Sequence, residues 1–201
     1  MFALVESGSI IKMLNGNQGI TIDGVQHPRA IYTLWTEAER NAIGIYTVEY
    51  DNSNKKDEKW YINTNQSYAF GSGKVTATYG TATAKAHADT LYTAQDETDG
   101  LGTEGELKSR GLKYKLIQDV KLEAANELAK TDWYVVRKSE ESTAIPSAIT
   151  THRRLVRTKA AAMETSITNA SDTPALETLY TYTTDSDGVH SRPLAEIPTL
   201  D

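Results

Sequence analysis

The 201-residue chain contains no cysteine. Disulfide bridges, thiolate zinc sites and cysteine nucleophiles are therefore excluded. Histidine is scarce as well, and no histidine lies three or four residues from another, so the helical zinc-binding motif is absent. The four histidines are His27, His87, His152 and His190. We therefore predict no metal site and no obligatory cofactor.

Catalytic motifs are missing too. The stretch Gly71–Lys74 lacks the earlier glycine of a phosphate-binding loop. The segment from Asp185 to Glu196 imitates a calcium-binding loop, but Val189 and His190 occupy positions that need a ligand and a glycine. No serine lies in a nucleophile elbow. We predict that the protein is not an enzyme and nominate no catalytic residue.

Long apolar runs and an excess of basic residues are also lacking. No stretch of 18 apolar residues occurs, so we expect no membrane span. The N-terminal sequence MFALVESG reaches Glu6 without a basic region or a useful apolar run, which predicts no cleavable signal and synthesis in a cytoplasm. The net charge of −6 argues against nucleic acid as the main partner, since a phosphate backbone needs a basic face.

The composition present is that of a globular protein, with 39% hydrophobic and 24% charged residues. Eleven tyrosines and three tryptophans favour half-exposed strands and contact surfaces. The fold class that we predict is α+β, in four segments. These are a small β-rich N-terminal domain (1–79), a glycine-rich acidic linker or arm (80–111), a C-terminal helical hairpin domain (112–182) and an extended acidic tail (183–201).

Turn and cap signals organise the first segment. Apolar runs on either side of Ser7-Gly8-Ser9 predict a hairpin, and a second hairpin is predicted around Gly71-Ser72-Gly73. Thr36 and Glu39 have the spacing of a capping box, and the helix that they begin should end at Gly44. The alternating residues 45–50 predict a strand.

The arm carries six acids against three bases and few large apolar groups, which is typical of a linker. We predict at most one short helical turn in it, over Ala86 to Tyr92. After Tyr182 the tail is acidic and contains Pro193 and Pro198, so we expect it to be extended.

Apolar periodicity predicts two long helices and a short one. The first runs from Leu112 to Lys130, the second begins at Pro146, and Pro174 opens the last. The second helix carries a heptad-like seam. Its members are Ile149, Val156, Ala160, Met163, Ile167 and Ala170.

A basic cluster lies on the second helix and includes Arg153, Arg154 and Arg157, with His152 and Lys159 beside them. Arginine can fork onto carboxylates, so one interpretation is a docking surface for an acidic partner. The alternative is a solvated helix face that bridges to acids of the preceding elements. Those acids are Glu123, Glu127 and Asp132.

The tryptophans also allow two interpretations. Trp133 with Tyr134, in a segment predicted to be extended, either fills the gap between the two long helices or forms an exposed aromatic anchor for a partner. Trp35 and Trp60 either cover one face of the small sheet or lie exposed as contact residues. The partner-binding candidates are therefore Trp133, Tyr134, Arg153, Arg154, Arg157, Trp35 and Trp60.

Two regions carry a resemblance to a known family. The first contains Asp132-Trp133, Arg137, Ile145-Pro146 and the run Arg153-Arg154-Leu155-Val156-Arg157, at similar spacing to the C-terminal segment of bacteriophage tail and tail-fibre assembly proteins. His152 stands where the family usually has an aromatic residue. The second is the N-terminal sequence MFALVESGSIIKML with residues 19–50, which resembles tail-associated proteins of marine tailed phages.

This resemblance implies a bacteriophage protein of the virion tail or tail fibre, made in the host bacterial cytoplasm. We expect a structural or connector protein that acts by protein–protein contacts with tail, baseplate or tail-fibre proteins, as a homo-oligomer or in symmetric copies. One alternative is a tail-fibre assembly chaperone that binds the C-terminal end of the fibre. Another is a glycan-binding tail module with Trp35 or Trp60 as the sugar platform. Nucleic acid and membrane partners are not expected.

Overall fold

A computed structural model describes residues 1–200 and shows an α+β protein. The chain forms two compact units, Met1–Thr83 and Ala84–Asp201, and Asp201 itself lies outside the described residues. Residues 84–111, which include most of the predicted arm, belong to the second unit.

The first unit is built on a five-stranded mixed sheet with the order β2-β1-β5-β8-β7. Strands β5 and β8 pair in parallel and the other neighbours pair antiparallel, while β3 and β4 form a separate hairpin. The elements are β1 (Phe2–Glu6), β2 (Ser9–Leu14), β3 (Ile20–Ile22), β4 (Val25–His27), α1 (Ile31–Leu34), α2 (Glu37–Ala42), β5 (Ile45–Asp51), β6 (Tyr61–Ile62), β7 (Gln66–Gly71), β8 (Lys74–Tyr79) and, at the boundary, β9 (Thr83–Ala84).

Both predicted hairpins are confirmed. Ser7 and Gly8 link β1 to β2 with φ of 48° and 79°, and Ser72 and Gly73 link β7 to β8 in the same way. Two consecutive residues with positive φ give a turn whose twist matches that of the flanking strands.

The capping box is confirmed as well. Thr36 Oγ1 accepts a hydrogen bond from the Glu39 amide, and the Glu39 carboxylate accepts one from the Thr36 amide at 2.7 Å. Gly44 follows the helix with φ of +79°, and its carbonyl accepts a hydrogen bond from Val5 N at 2.8 Å. A β-carbon at Gly44 would lie 2.6 Å from the Val5 carbonyl oxygen, so this helix end requires glycine.

The sheet has a core on each face because side chains alternate along its strands. On β1, Ala3 and Val5 pack with Val48, Val75 and Ala77 on one face. On the opposite face, Leu4 of β1 belongs to a second hydrophobic cluster. The other buried members of this cluster are Leu14, Ile22, Ile31, Tyr32 and Ile45.

The second unit contains the long helices. Its elements are β10 (Thr90–Leu91), α3 (Ala94–Thr98), β11 (Leu107–Ser109), α4 (Leu112–Ala129), α5 (Asp132–Glu141), α6 (Ser147–Asn169), α7 (Thr173–Tyr180), β12 (Thr183–Thr184) and β13 (His190–Ser191). The helices predicted to begin at Leu112, Pro146 and Pro174 are confirmed. Pro146 is the N-cap of α6, and Pro174 lies in the first turn of α7.

Helices α4 and α6 pack antiparallel. Lys121 Nζ of α4 lies 3.7 Å from a Glu164 carboxylate oxygen of α6, and Lys113 Nζ donates to the Thr168 carbonyl at 2.8 Å. All six residues of the predicted seam are buried. The periodic pattern therefore identified the face that packs in this hairpin.

The arm is more structured than its composition predicts. The helical turn predicted over Ala86 to Tyr92 is wrong, because the helix in this region is α3, whose N-cap Thr93 forms a capping box with Asp96. Strands β10 and β11 flank α3 and pair with each other. The Ala86 carbonyl accepts a hydrogen bond from the Leu112 amide at 3.0 Å, so the arm satisfies a free donor at the start of α4.

The segment around Trp133 was predicted to be extended, and this is wrong: it forms α5. The run Tyr134-Val135-Val136 favours strands by propensity, but a helix places Asp132 in the first turn and Lys138 in the last, where their charges match the helix dipole. Ser142, with φ of 57°, ends the helix.

The prediction of an extended tail is only partly right. Strands β12 and β13 form a hairpin, whereas residues 192–200 form no regular element. Within this last stretch Leu194 is 1% exposed and Ile197 is 8% exposed. The end of the chain therefore contributes to the core of the second unit.

Candidate protein interface

Helix α5 exposes an apolar surface. Trp133 is 51% exposed, Val135 43% and Val136 52%, and none of the ten residues of the helix is buried. We call the surface formed by Trp133, Tyr134, Val135, Val136 and Arg137 the α5 patch. A helix that buries no residue in its own chain, yet carries four large apolar side chains, has the composition of a contact surface.

The aromatic part of the α5 patch is held together by stacking. The ring centroids of Trp133 and Tyr134 lie 3.8 Å apart. The Arg137 guanidinium lies over both rings, at 4.7 Å from the Trp133 centroid and 5.3 Å from the Tyr134 centroid. Arg137 Nε is buried without a hydrogen-bond partner among residues 1–200. The stack fixes an indole and a guanidinium side by side, a pairing that is enriched at interface hot spots.

The prediction that Trp133 fills the gap between the long helices is therefore wrong. The buried apolar residues of α4 and α6 include Leu116, Val120, Val156 and Met163, whereas Trp133 is 51% exposed.

The basic cluster divides into buried and exposed members. Arg153 is 9% exposed, and its Nη1 donates to the Leu128 carbonyl at 2.8 Å and to Thr131 Oγ1 at 2.6 Å. Its Nη2 lies 2.8 Å from an Asp132 carboxylate oxygen. Arg153 therefore joins the end of α4, the start of α5 and the middle of α6. A docking role for this side chain does not fit its burial, whereas the predicted bridge to Asp132 is present.

The exposed members are Arg154 and Arg157, with Lys159 nearby. Arg157 Nη1 donates to the Arg153 carbonyl one turn earlier, at 3.4 Å. These two guanidinium groups remain candidates for contact with an acidic partner.

A carboxylate that links three parts of the second unit is Glu127, which is 5% exposed. Its Oε1 lies 3.1 Å from His152 Nε2 and accepts a hydrogen bond from the Leu200 amide at 2.8 Å, and its Oε2 accepts one from Lys130 Nζ at 2.5 Å. The pKa of Glu127 is lowered below its ordinary value, first of all by the hydrogen bond from Lys130. The hydrogen bond from the Leu200 amide and the charges of Lys130 and His152 lower this pKa further, whereas burial raises it. Sequence reasoning gave Glu127 as a possible bridging acid, but nothing local indicated its link to Leu200.

The tryptophans of the first unit are less accessible. Trp60 is 3% exposed, so it offers no indole face as a sugar platform. Trp35 is half-buried against the core and makes an edge-to-face contact with His27, with ring centroids 5.7 Å apart. Arg40 Nη1 donates to the Trp35 carbonyl at 2.5 Å.

Residues 1–200 contain no group of three or more His, Asp or Glu side chains placed to hold a metal ion. Among the helices described, none combines the length and the apolar character needed to cross a bilayer.

No family model, curated protein or solved structure matches this chain.

Proposed function

We propose that this protein is a structural connector of a bacteriophage tail or tail fibre and acts through non-covalent contacts with neighbouring proteins. The observation that carries the contact part of the proposal is the α5 patch. Trp133, Val135 and Val136 are 51%, 43% and 52% exposed, so a neighbouring protein would remove further apolar surface from water.

The tail part of the proposal rests on the sequence resemblance. Trp133 and Arg137, two residues that carry this resemblance, also stack on each other in the α5 patch. This coincidence supports an interface at the same place in the chain. Arg154 and Arg157 are exposed on α6 and are further candidates for contact with an acidic partner.

The arm and tail support a protein that contacts several neighbours. Residues 80–110 include no buried residue, and residues 181–191 are exposed throughout. Segments that bury little of their own surface can be ordered further by a neighbouring chain. In a virion tail we expect the protein in symmetric copies.

The test of the tail assignment is quantitative mass spectrometry of purified particles. A connector is expected in a fixed copy number that matches the tail symmetry. Absence from mature particles would instead support a chaperone that leaves after the fibre has folded, and enrichment only at the distal tips would support a glycan-binding module.

The test of the α5 patch is substitution of its central indole. We expect Trp133→Ala to reduce incorporation into particles at least tenfold, because truncating a hot-spot residue usually costs about 2 kcal/mol or more. The matched control is Leu122→Ala on α4, since Leu122 is 61% exposed but lies outside the α5 patch. Equal incorporation of the two variants would exclude the α5 patch as the contact surface.

A further inference from the structure

The last residues of the chain form a strap across the second unit. We call residues 192–200 the C-terminal strap. Leu194 and Ile197 are its buried apolar anchors, and the Leu194 amide donates to the Leu179 carbonyl of α7 at 3.0 Å. At its far end the Leu200 amide donates to the Glu127 carboxylate of α4. The C-terminal strap thus lies against α7 and α4, with the Glu127 carboxylate at one end, and we call the surface that it covers the groove.

The start of the C-terminal strap is also held by side chains. The Arg192 guanidinium lies 5.6 Å from the Tyr180 ring centroid and 5.1 Å from that of Tyr182. The Tyr182 hydroxyl donates to the Glu196 carboxylate, and Arg192 Nε lies 3.5 Å from the same oxygen. Arg192 thus contacts Tyr180 at the end of α7 and Tyr182 two residues beyond it, whereas the contact between Arg192 and Glu196 lies within the strap itself.

The segment that links α7 to the C-terminal strap has little structure of its own. Residues 181–191 are all exposed, and their only regular structure is the β12–β13 hairpin with two residue pairs. An isolated two-stranded hairpin is marginally stable in water. Opened and extended, these eleven residues would reach roughly 36 Å, which is enough to pass from one protein molecule to another.

We propose that the C-terminal strap is exchangeable, and that the groove of one molecule binds the C-terminal strap of a second copy of this chain. The contacts in an exchanged pair are the same ones that exist within one molecule, because both groove and strap are identical in every copy. Exchange therefore keeps the contacts between strap and groove and changes which chain supplies the strap, at the loss of the β12–β13 pairing within residues 181–191. This inference does not depend on the assignment to a phage tail.

A crosslinking experiment on the full-length chain tests the exchange. Lys130 Nζ and the Leu200 amide both bind the Glu127 carboxylate, so cysteines at these two positions would lie close together. The natural chain has no cysteine, which makes a dimaleimide crosslink between Lys130→Cys and Leu200→Cys specific. The double variant is prepared unlabelled and ¹⁵N-labelled, and the two preparations are mixed, concentrated and then crosslinked.

Mass spectrometry then shows whether a crosslinked peptide pair joins a light chain to a heavy chain. Exchange predicts hybrid pairs that increase at least tenfold between dilute and concentrated mixtures. The matched control adds Leu194→Asp to both preparations, which removes the central anchor and should abolish the hybrid pairs. Light–light and heavy–heavy pairs alone at every concentration would overturn the proposal, as would hybrid pairs that persist with Leu194→Asp.

Discussion

Helices α5 and α6 lie next to each other in the sequence but differ in what they bury. Helix α6 buries seven residues, of which five are apolar and the other two are His152 and Arg153. Helix α5 contains a tryptophan, a tyrosine and two valines and buries none of its residues. Of these two helices, the one that carries the tryptophan and the tyrosine is thus the one that buries no residue. Burial in this unit follows from the periodic fit between α4 and α6 and not from the hydrophobicity of single residues.

The largest expected effect comes from removing a seam residue. Ile167 is 0% exposed, and Ile167→Ala should lower the free energy of unfolding by about 2–5 kcal/mol, because the truncation leaves a cavity between packed helices. The comparison variant is Val136→Ala on α5, which should change the free energy of unfolding by about 0.5 kcal/mol or less. Denaturant unfolding of both variants measures the difference, and a similar loss in both would mean that α5 is packed as tightly as α6.

A smaller loss is expected from Arg153→Ala. This substitution leaves the Leu128 carbonyl without its charged donor, and hydrogen bonds to charged groups contribute about 1.5–3 kcal/mol each. Arg154→Ala, one residue along on the exposed face, should cost about 0.5 kcal/mol or less. If the order of these two losses is reversed in denaturant unfolding, Arg153 does not join α4, α5 and α6 as described.

The third effect is a pH dependence of the C-terminal strap. The pKa of Glu127 is lower in the folded protein than in the unfolded chain, where it is about 4.5. The ionised carboxylate therefore stabilises the folded protein fully above pH 4.5, and this stabilisation is lost as the pH falls through the folded pKa. Hydrogen exchange of the Leu200 amide should therefore lose protection at acidic pH, after correction for the intrinsic exchange rate. In Glu127→Gln this amide should be less protected at neutral pH and should show a flatter pH profile. Identical profiles in the two proteins would contradict the prediction.

A small effect on stability is expected from the central indole of the α5 patch. We expect Trp133→Ala to lower the free energy of unfolding by at most about 1 kcal/mol, the value of an exposed cation–π contact such as that with Arg137. The same variant should show the large loss of particle incorporation predicted above. A stability loss comparable to that of Ile167→Ala would show instead that Trp133 supports the fold.

The helices α4 and α6 were predictable because each carries a strong apolar period, and Pro146 and Pro174 mark helix starts that are local in sequence. Helix α5 was not, because its run of Tyr134, Val135 and Val136 favours a strand when it is considered alone. Its helical state depends on neighbours such as Arg153, which fixes Asp132 at its first turn.

The candidate interface shows the same limit. Sequence reasoning selected Trp133, Tyr134 and the basic run, but it could not separate buried Arg153 from exposed Arg154 and Arg157, because that distinction depends on the direction in which α6 packs. The anchors of the C-terminal strap were also missed. Leu194 and Ile197 stand among polar residues and prolines, and their burial depends on contacts with helices far away in the sequence.

The hydrogen bond between Glu127 and Leu200 joins residues 73 positions apart and has a consequence for the order of folding. During synthesis the chain is made from its N-terminus, so α4 and α6 are translated before Leu200. Until Leu200 is made, the Glu127 carboxylate lacks this backbone donor and can be bound only by side chains such as Lys130 and His152. The strap is therefore the last part of the second unit that can bind.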